Sequence, residues 1–170
     1  LAVEQADNLE DWAWVFHLRH AYRGEMPETE SPSTLREETL TRLDKAEALL
    51  SPRADPGRGG LRAHYIMGSV HHQWGRYLHK FGDNLREALE HYALSVAYYD
   101  LFTPEHVERR EIVLLHALDA LEFQPVEDLR TLVNVMLGAV VGRHLPSEDL
   151  HRLLLDILME KEGFYHRKEE

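Results

Sequence analysis

The chain has 170 residues, 44% hydrophobic and 29% charged, with no cysteine. That is the composition of a folded chain long enough to bury a core, and it excludes disulfides, thiolate metal sites and a cysteine nucleophile. Its 19 basic residues are scattered among 30 acidic ones, for a formal charge of -11, which argues against nucleic-acid binding and against docking on an anionic membrane.

Residue spacing predicts about seven helices and no strand. In the first, running to about Arg23, Trp12, Val15, Phe16, Arg19 and Tyr22 share a face, and Gly24 and Pro27 end it. Thr34 and Glu37 form a capping box for the second, whose stripe is Leu40, Leu43, Ala46 and Leu50. Ser51-Pro52 stops it, and the run Pro56-Gly57-Arg58-Gly59-Gly60 reads as a loop. That loop precedes a helix, but no Lys-Ser or Lys-Thr follows and no strand precedes it, so it is not a P-loop.

The third helix spans about Leu61 to Phe81, with Ile66, Met67, Val70, Trp74, Tyr77, Leu78 and Phe81 on one broad face. Gly82-Asp83 breaks it, and Asn84 with Glu87 caps a fourth helix carrying Leu85, Leu89, Tyr92, Val96 and Tyr99. Thr103 with Pro104 opens a fifth, to about Leu121. Pro125 opens a sixth, where Leu129, Leu132, Val133, Met136, Leu137 and Val140 are apolar nearly all round. Such a pattern predicts burial on several sides. Pro146-Ser147 starts the seventh, with Leu150, Leu153, Leu154, Ile157 and Leu158 as its stripe and Gly163 at its end. The longest apolar run, Leu132 to Val141, contains Asn134 and Gly138 and falls well short of the roughly 20 residues that cross a bilayer.

Within 61–104, Gly68 stands where a helix pair would approach closely, Gly82-Asp83 at the turn, and Ala88, Tyr92 and Ser95 early in the following helix, with Pro104 closing the unit. This stretch resembles a tetratricopeptide (TPR) repeat with an extended first helix. Lys45 to Pro52 resembles the end of such a unit more weakly. The resemblance implies an all-α fold of stacked antiparallel helical hairpins, a TPR-like superhelix over residues 1–163, followed by a charged tail at 164–170. It also implies a protein–protein interaction module that takes a peptide or protein segment on a concave face. The chain begins with Leu1 rather than Met, and is read as a piece of a longer regulatory or signalling protein, placed in the cytoplasm.

Histidine is the one chemically active residue type in excess, with 12 copies. His64, His71, His72 and His79 fall with Gly68 and Gly75 on a flank of the third helix, away from its main apolar face. A metal site would draw His71 together with a neighbouring helix, and Glu87/His91 and Glu148/His151 are ligand-like pairs. No complete ligand set is readable, so no metal and no cofactor is expected. Full protonation of the histidines would move the formal charge to about +1. No Gly-x-Ser-x-Gly, no His-Glu-x-x-His and no distinctive carboxylate pair occurs, so no catalytic residue is assigned.

The leading expectation is therefore a scaffold or sensor module without enzymatic activity. Its partner-binding residues are Trp14, His17, His64, His71, His72 and His79, and its acidity favours a basic or mixed segment as partner. The alternatives are a metal- or small-ligand-binding helical bundle, an enzyme among them, and a structural oligomerisation domain. The sequence does not set the oligomeric state.

Overall fold

The computed structural model describes residues 5, 37, 41, 42, 44–49, 61–81, 84–102, 107–156 and 159. Among these, 91% are helical and none is in a strand, so the fold is all-α. Four helices carry the architecture: α1 (Leu61–Phe81), α2 (Leu85–Phe102), α3 (Val107–Glu122) and α4 (Val126–Gly142). They are the third to sixth segments expected from spacing. Residues 44–49 and 148–156 are also helical. The expected first helix, Thr34 of the first capping box, the Gly57 loop, Gly82-Asp83, Thr103-Pro104 and the charged tail lie outside the described residues.

The start of α2 follows from its sequence. Asn84 Oδ1 accepts the Glu87 backbone N–H at 3.1 Å, and the Asn84 side-chain amide reaches Glu87 Oε2 at 3.4 Å. Those bonds satisfy a backbone donor that a helix start otherwise leaves open. Pro125 is the N-cap residue of α4, where a missing N–H costs nothing, and Glu127 and Asp128 complement the positive end of the helix dipole.

Two glycines set how α1 and α2 meet. A Cβ on Gly68 would lie 2.8 Å from the Tyr99 ring, and one on Gly75 2.6 Å from the Tyr92 ring and 3.0 Å from the Ala88 carbonyl oxygen. Early α1 therefore faces late α2, and the pair is antiparallel. The expected close approach at Gly68 is present, and Gly75 supplies a second one about two turns further on. Between them the Ser95 hydroxyl donates to the Gly68 carbonyl at 2.6 Å, fully buried. Ser95→Ala should cost about 1 kcal/mol, the worth of one buried hydrogen bond. An unchanged urea midpoint would show that bond to be incidental.

α2 is the hub of the fold, since α1, α3 and α4 all pack against it, while α1 and α3 meet through side chains more than through close backbone approach. Every residue from His91 to Tyr99 is buried. One continuous apolar cluster runs from Ala46 through Met67, Leu89, Val96, Val113 and Met136 to Leu154. Arg110 of α3 donates to Asp100 of α2 at 2.8 Å, a half-buried ion pair that ties the two helices near their ends.

The expectation for α4 needs correction. It is buried along Leu129, Val133, Met136 and Val140 only, while Glu127, Arg130, Thr131, Asn134, Gly138 and Val141 are exposed. Polar and small residues at this spacing make a solvent face that the apolar count alone obscures. The helix enclosed on several sides is α2, whose alanines and serine let neighbours come close on every side.

Candidate functional site

Two clusters of histidine flank α2. The first is buried. His71 of α1 and His91 of α2 place their Nδ1 atoms 2.8 Å apart, and the rings overlap with centroids 5.1 Å apart. Trp74 stacks on His91 at 4.3 Å and Tyr98 lies parallel to His71 at 5.6 Å. The outer nitrogens meet carboxylates: His71 Nε2 is 3.8 Å from Glu47 Oε1, and His91 Nε2 is 3.8 Å from Glu87 Oε1, one helical turn away.

Arg143 completes this cluster. It forms an ion pair with Glu47 at 2.5 Å and donates to the Tyr98 hydroxyl. A specific turn delivers it. After α4, Leu145 N–H donates back to the Val140 carbonyl and His144 N–H to Val141, with His144 at φ 57°. This is a Schellman closure with histidine in the left-handed position that usually holds glycine. Burial opposes the guanidinium charge, but the Glu47 carboxylate and the bonds to Glu47 and Tyr98 hold Arg143 above its ordinary value.

One proton must lie between the two Nδ1 atoms, carried by one ring and accepted by the other. An N–H on His71 Nε2 faces the Glu47 carboxylate favourably, which leaves His71 Nδ1 as acceptor and His91 as donor. Burial, then the neighbouring His91 and Arg143, holds His71 well below the ordinary imidazole value. Burial, followed by Arg143, lowers His91 to about 3. The pair is neutral at physiological pH.

The second cluster lies on the seam between α1 and α3. His72 Nε2 and His116 Nδ1 are 2.7 Å apart. His79 Nδ1 is 3.3 Å from the Tyr92 hydroxyl, and the Tyr92 ring lies 6.2 to 6.4 Å from His72, His79 and His116. Tyr92 is fully buried and floors the seam, and burial raises its phenol above the ordinary value. Burial lowers His79, with Asp119 opposing and Lys80 and Arg76 adding to the shift. Burial also lowers His116, reinforced by Arg76 and Lys80 and opposed by Asp119. Further along, the Arg109 guanidinium of α3 lies 5.3 Å from the Tyr65 ring of α1. Tyr65, His72 and His79 on α1 step by seven residues, as do Arg109 and His116 on α3, so the two helices run in the same direction.

Four of the six expected partner residues are described; Trp14 and His17 are not. His64 and His71 are buried, His71 completely at 0% exposure. They are therefore not available at the surface expected for them. The reason is Gly68 and Gly75, which admit α2 against the flank that periodicity places away from the core. His72 and His79 are half-buried at the seam. His91 was legible as a Glu87 neighbour at i, i+4, but its pairing with His71 was not. His116 and Arg143 carry no local signal, because both reach their clusters through tertiary packing. Among the described residues, no group of three or more histidine, aspartate or glutamate side chains is arranged to hold a metal ion.

Fold and site together define an all-α protein built on a buried, carboxylate-flanked histidine pair and an outward-facing histidine seam. No family model matches the chain, and neither the curated proteins nor the solved structures give a match. Among the described residues no helix is long and apolar enough to cross a membrane.

Proposed function

We propose that this chain is a TPR-like protein-interaction module, the scaffold or sensor part of a larger regulatory protein, acting by binding rather than by catalysis. The observation that carries the reading is the α1–α3 seam. Parallel helices bridged by side chains over one antiparallel partner resemble the first helices of successive hairpins, along which such stacks present their binding surface, although here α3 packs on α2 rather than on α4. The seam is bordered by apolar side chains left in water: Ile112 is 45% exposed, Leu115 62% and Phe123 84%. Exposed apolar groups set beside half-buried polar ones mark a contact surface.

The partner is a protein or peptide segment of mixed charge. Glu108, Glu111, Asp119 and Glu122 are exposed on α3 and attract basic side chains. Arg76 and Lys80 give the neighbouring stretch of α1 the opposite sign. Ile112→Asp with Leu115→Asp tests the surface, since both side chains already face solvent and the substitutions should leave the helical circular-dichroism signal intact. The immobilised double variant is expected to lose proteins that the native chain retains from an extract of its source cells, and the retained set should shrink as salt rises. Identical retained sets at every salt concentration would remove the seam as the binding surface.

A further inference from the structure

The seam holds more nitrogen cations and imidazoles than its own carboxylates balance. Four groups come from α1: His72, Arg76, His79 and Lys80. Tyr92 rises from α2, and α3 adds His116 and Asp119. Arg76 and Lys80 stand close enough to both His79 and His116 to disfavour their protonation. Among the described residues, Asp119 is the one carboxylate acting on His79, Lys80, Tyr92 and His116, in a chain whose net charge is -11. Among the described residues, two cations against one carboxylate, with His72 and His116 already 2.7 Å apart, form a local positive site on an acidic molecule.

We propose that this cluster is an oxyanion site that takes a phosphate group, with Arg76 and Lys80 supplying charge and His79 and His116 supplying donors. Arg76 and Lys80 against Asp119 leave a surplus of one positive charge, and a proton taken up by one imidazole raises it to two, the charge of a doubly ionised oxyanion. Its several acceptor oxygens suit a forked guanidinium together with imidazole N–H groups. Its arrival reverses the local field, so the imidazoles take up protons as it binds. This deepens the proposed function by naming the group a partner presents, and rests on that reading only for the source of the phosphate.

Sulfate is the probe that isolates the imidazoles, because it keeps its double charge across the range in which they titrate. Followed by the ring signals of His79 and His116 in NMR titrations, sulfate is expected to bind about tenfold more tightly near pH 6 than near pH 7.5, as linkage to roughly one proton requires. Arg76→Gln and His116→Gln should each weaken it about tenfold or more. Asp119→Asn should tighten it, a gain that a merely structural role would not produce. Arg152→Gln, far along the chain on an exposed helix, should change nothing. Inorganic phosphate and phosphoserine then separate a free anion from one borne by a chain: the first binding alone would keep the site and withdraw the partner, while phosphoserine binding as well supports both. Ring signals of His79 and His116 unmoved by sulfate, native affinity in Arg76→Gln, or weaker binding in Asp119→Asn would each overturn the proposal.

Discussion

Acidification from about pH 7.5 to about pH 5 is expected to lower the melting temperature by roughly 4–8 °C through His91 alone. Unfolded, an imidazole takes up its proton as the pH passes about 6.5. Folded, His91 stays neutral down to about 3, because Trp74 and His71 cover it and Arg143 repels added charge. Only the unfolded chain gains protons in that window, so the stability is fully present above about pH 6.5 and falls below it. By pH 5 the loss is about 2 kcal/mol for this one group. His71, His79 and His116 are lowered too and act in the same direction. Ordinary carboxylates titrate near pH 4, below this window, so the signature belongs to histidine. Thermal melts followed by circular dichroism at several pH values check it, with His91→Phe as comparison. The variant should show a shallower slope, and a native melting temperature that ignores pH between 6.5 and 5 would show that the pair is not held neutral.

Gly75→Ala is expected to destabilise by about 1–3 kcal/mol, although alanine is the better helix former by about 1 kcal/mol. The added methyl would meet the Tyr92 ring at 2.6 Å and the Ala88 carbonyl oxygen at 3.0 Å. A ring edge can swing aside, but a backbone carbonyl moves only with its helix, so α2 must shift and strain the Ser95 bond. Gly138→Ala supplies the opposite case. It too lies inside a helix, yet nothing stands within 4 Å of its added methyl. It should gain about 0.5–1 kcal/mol from propensity and lower unfolded-state entropy. Urea unfolding of the two variants should therefore give opposite signs. Equal effects would mean that the α1–α2 contact is looser than its distances say.

Local chemistry made much of the fold legible. The limits of α1 are readable from the Gly59-Gly60 and Gly82-Asp83 breaks in the sequence, and the Asn84/Glu87 box marks the start of α2. Gly68 pointed to a close helix pair, because a missing side chain on a long helix needs a neighbour to explain it. What spacing could not reveal was direction. The His64–His71 flank reads as polar and therefore outward, yet α2 covers it, and the burial is tolerated because His91, Glu47 and Arg143 arrive from elsewhere to meet His71. Those partners lie far away in the chain, and no short window contains them. The same limit misplaced α4: Thr131, Asn134 and Gly138 interrupt its apolar residues at a helical interval, and that interval, rather than the number of leucines and valines, decides which side meets water.

The enclosure of α2 divides the molecule's freedom to change. Every position from His91 to Tyr99 is committed to a neighbour, so nearly any replacement there alters two interfaces at once and drift must be slow and concerted. The outer sides of α3 and α4 are under no such obligation. If the seam binds as proposed, a lineage descending from this chain can exchange Ile112, Leu115 or the seam histidines one at a time, acquiring a new binding preference while the scaffold beneath stays as it was. On that proposal recognition and folding occupy separable sets of residues, with Tyr92, at once floor of the seam and anchor against Gly75, as the position where the two inheritances meet.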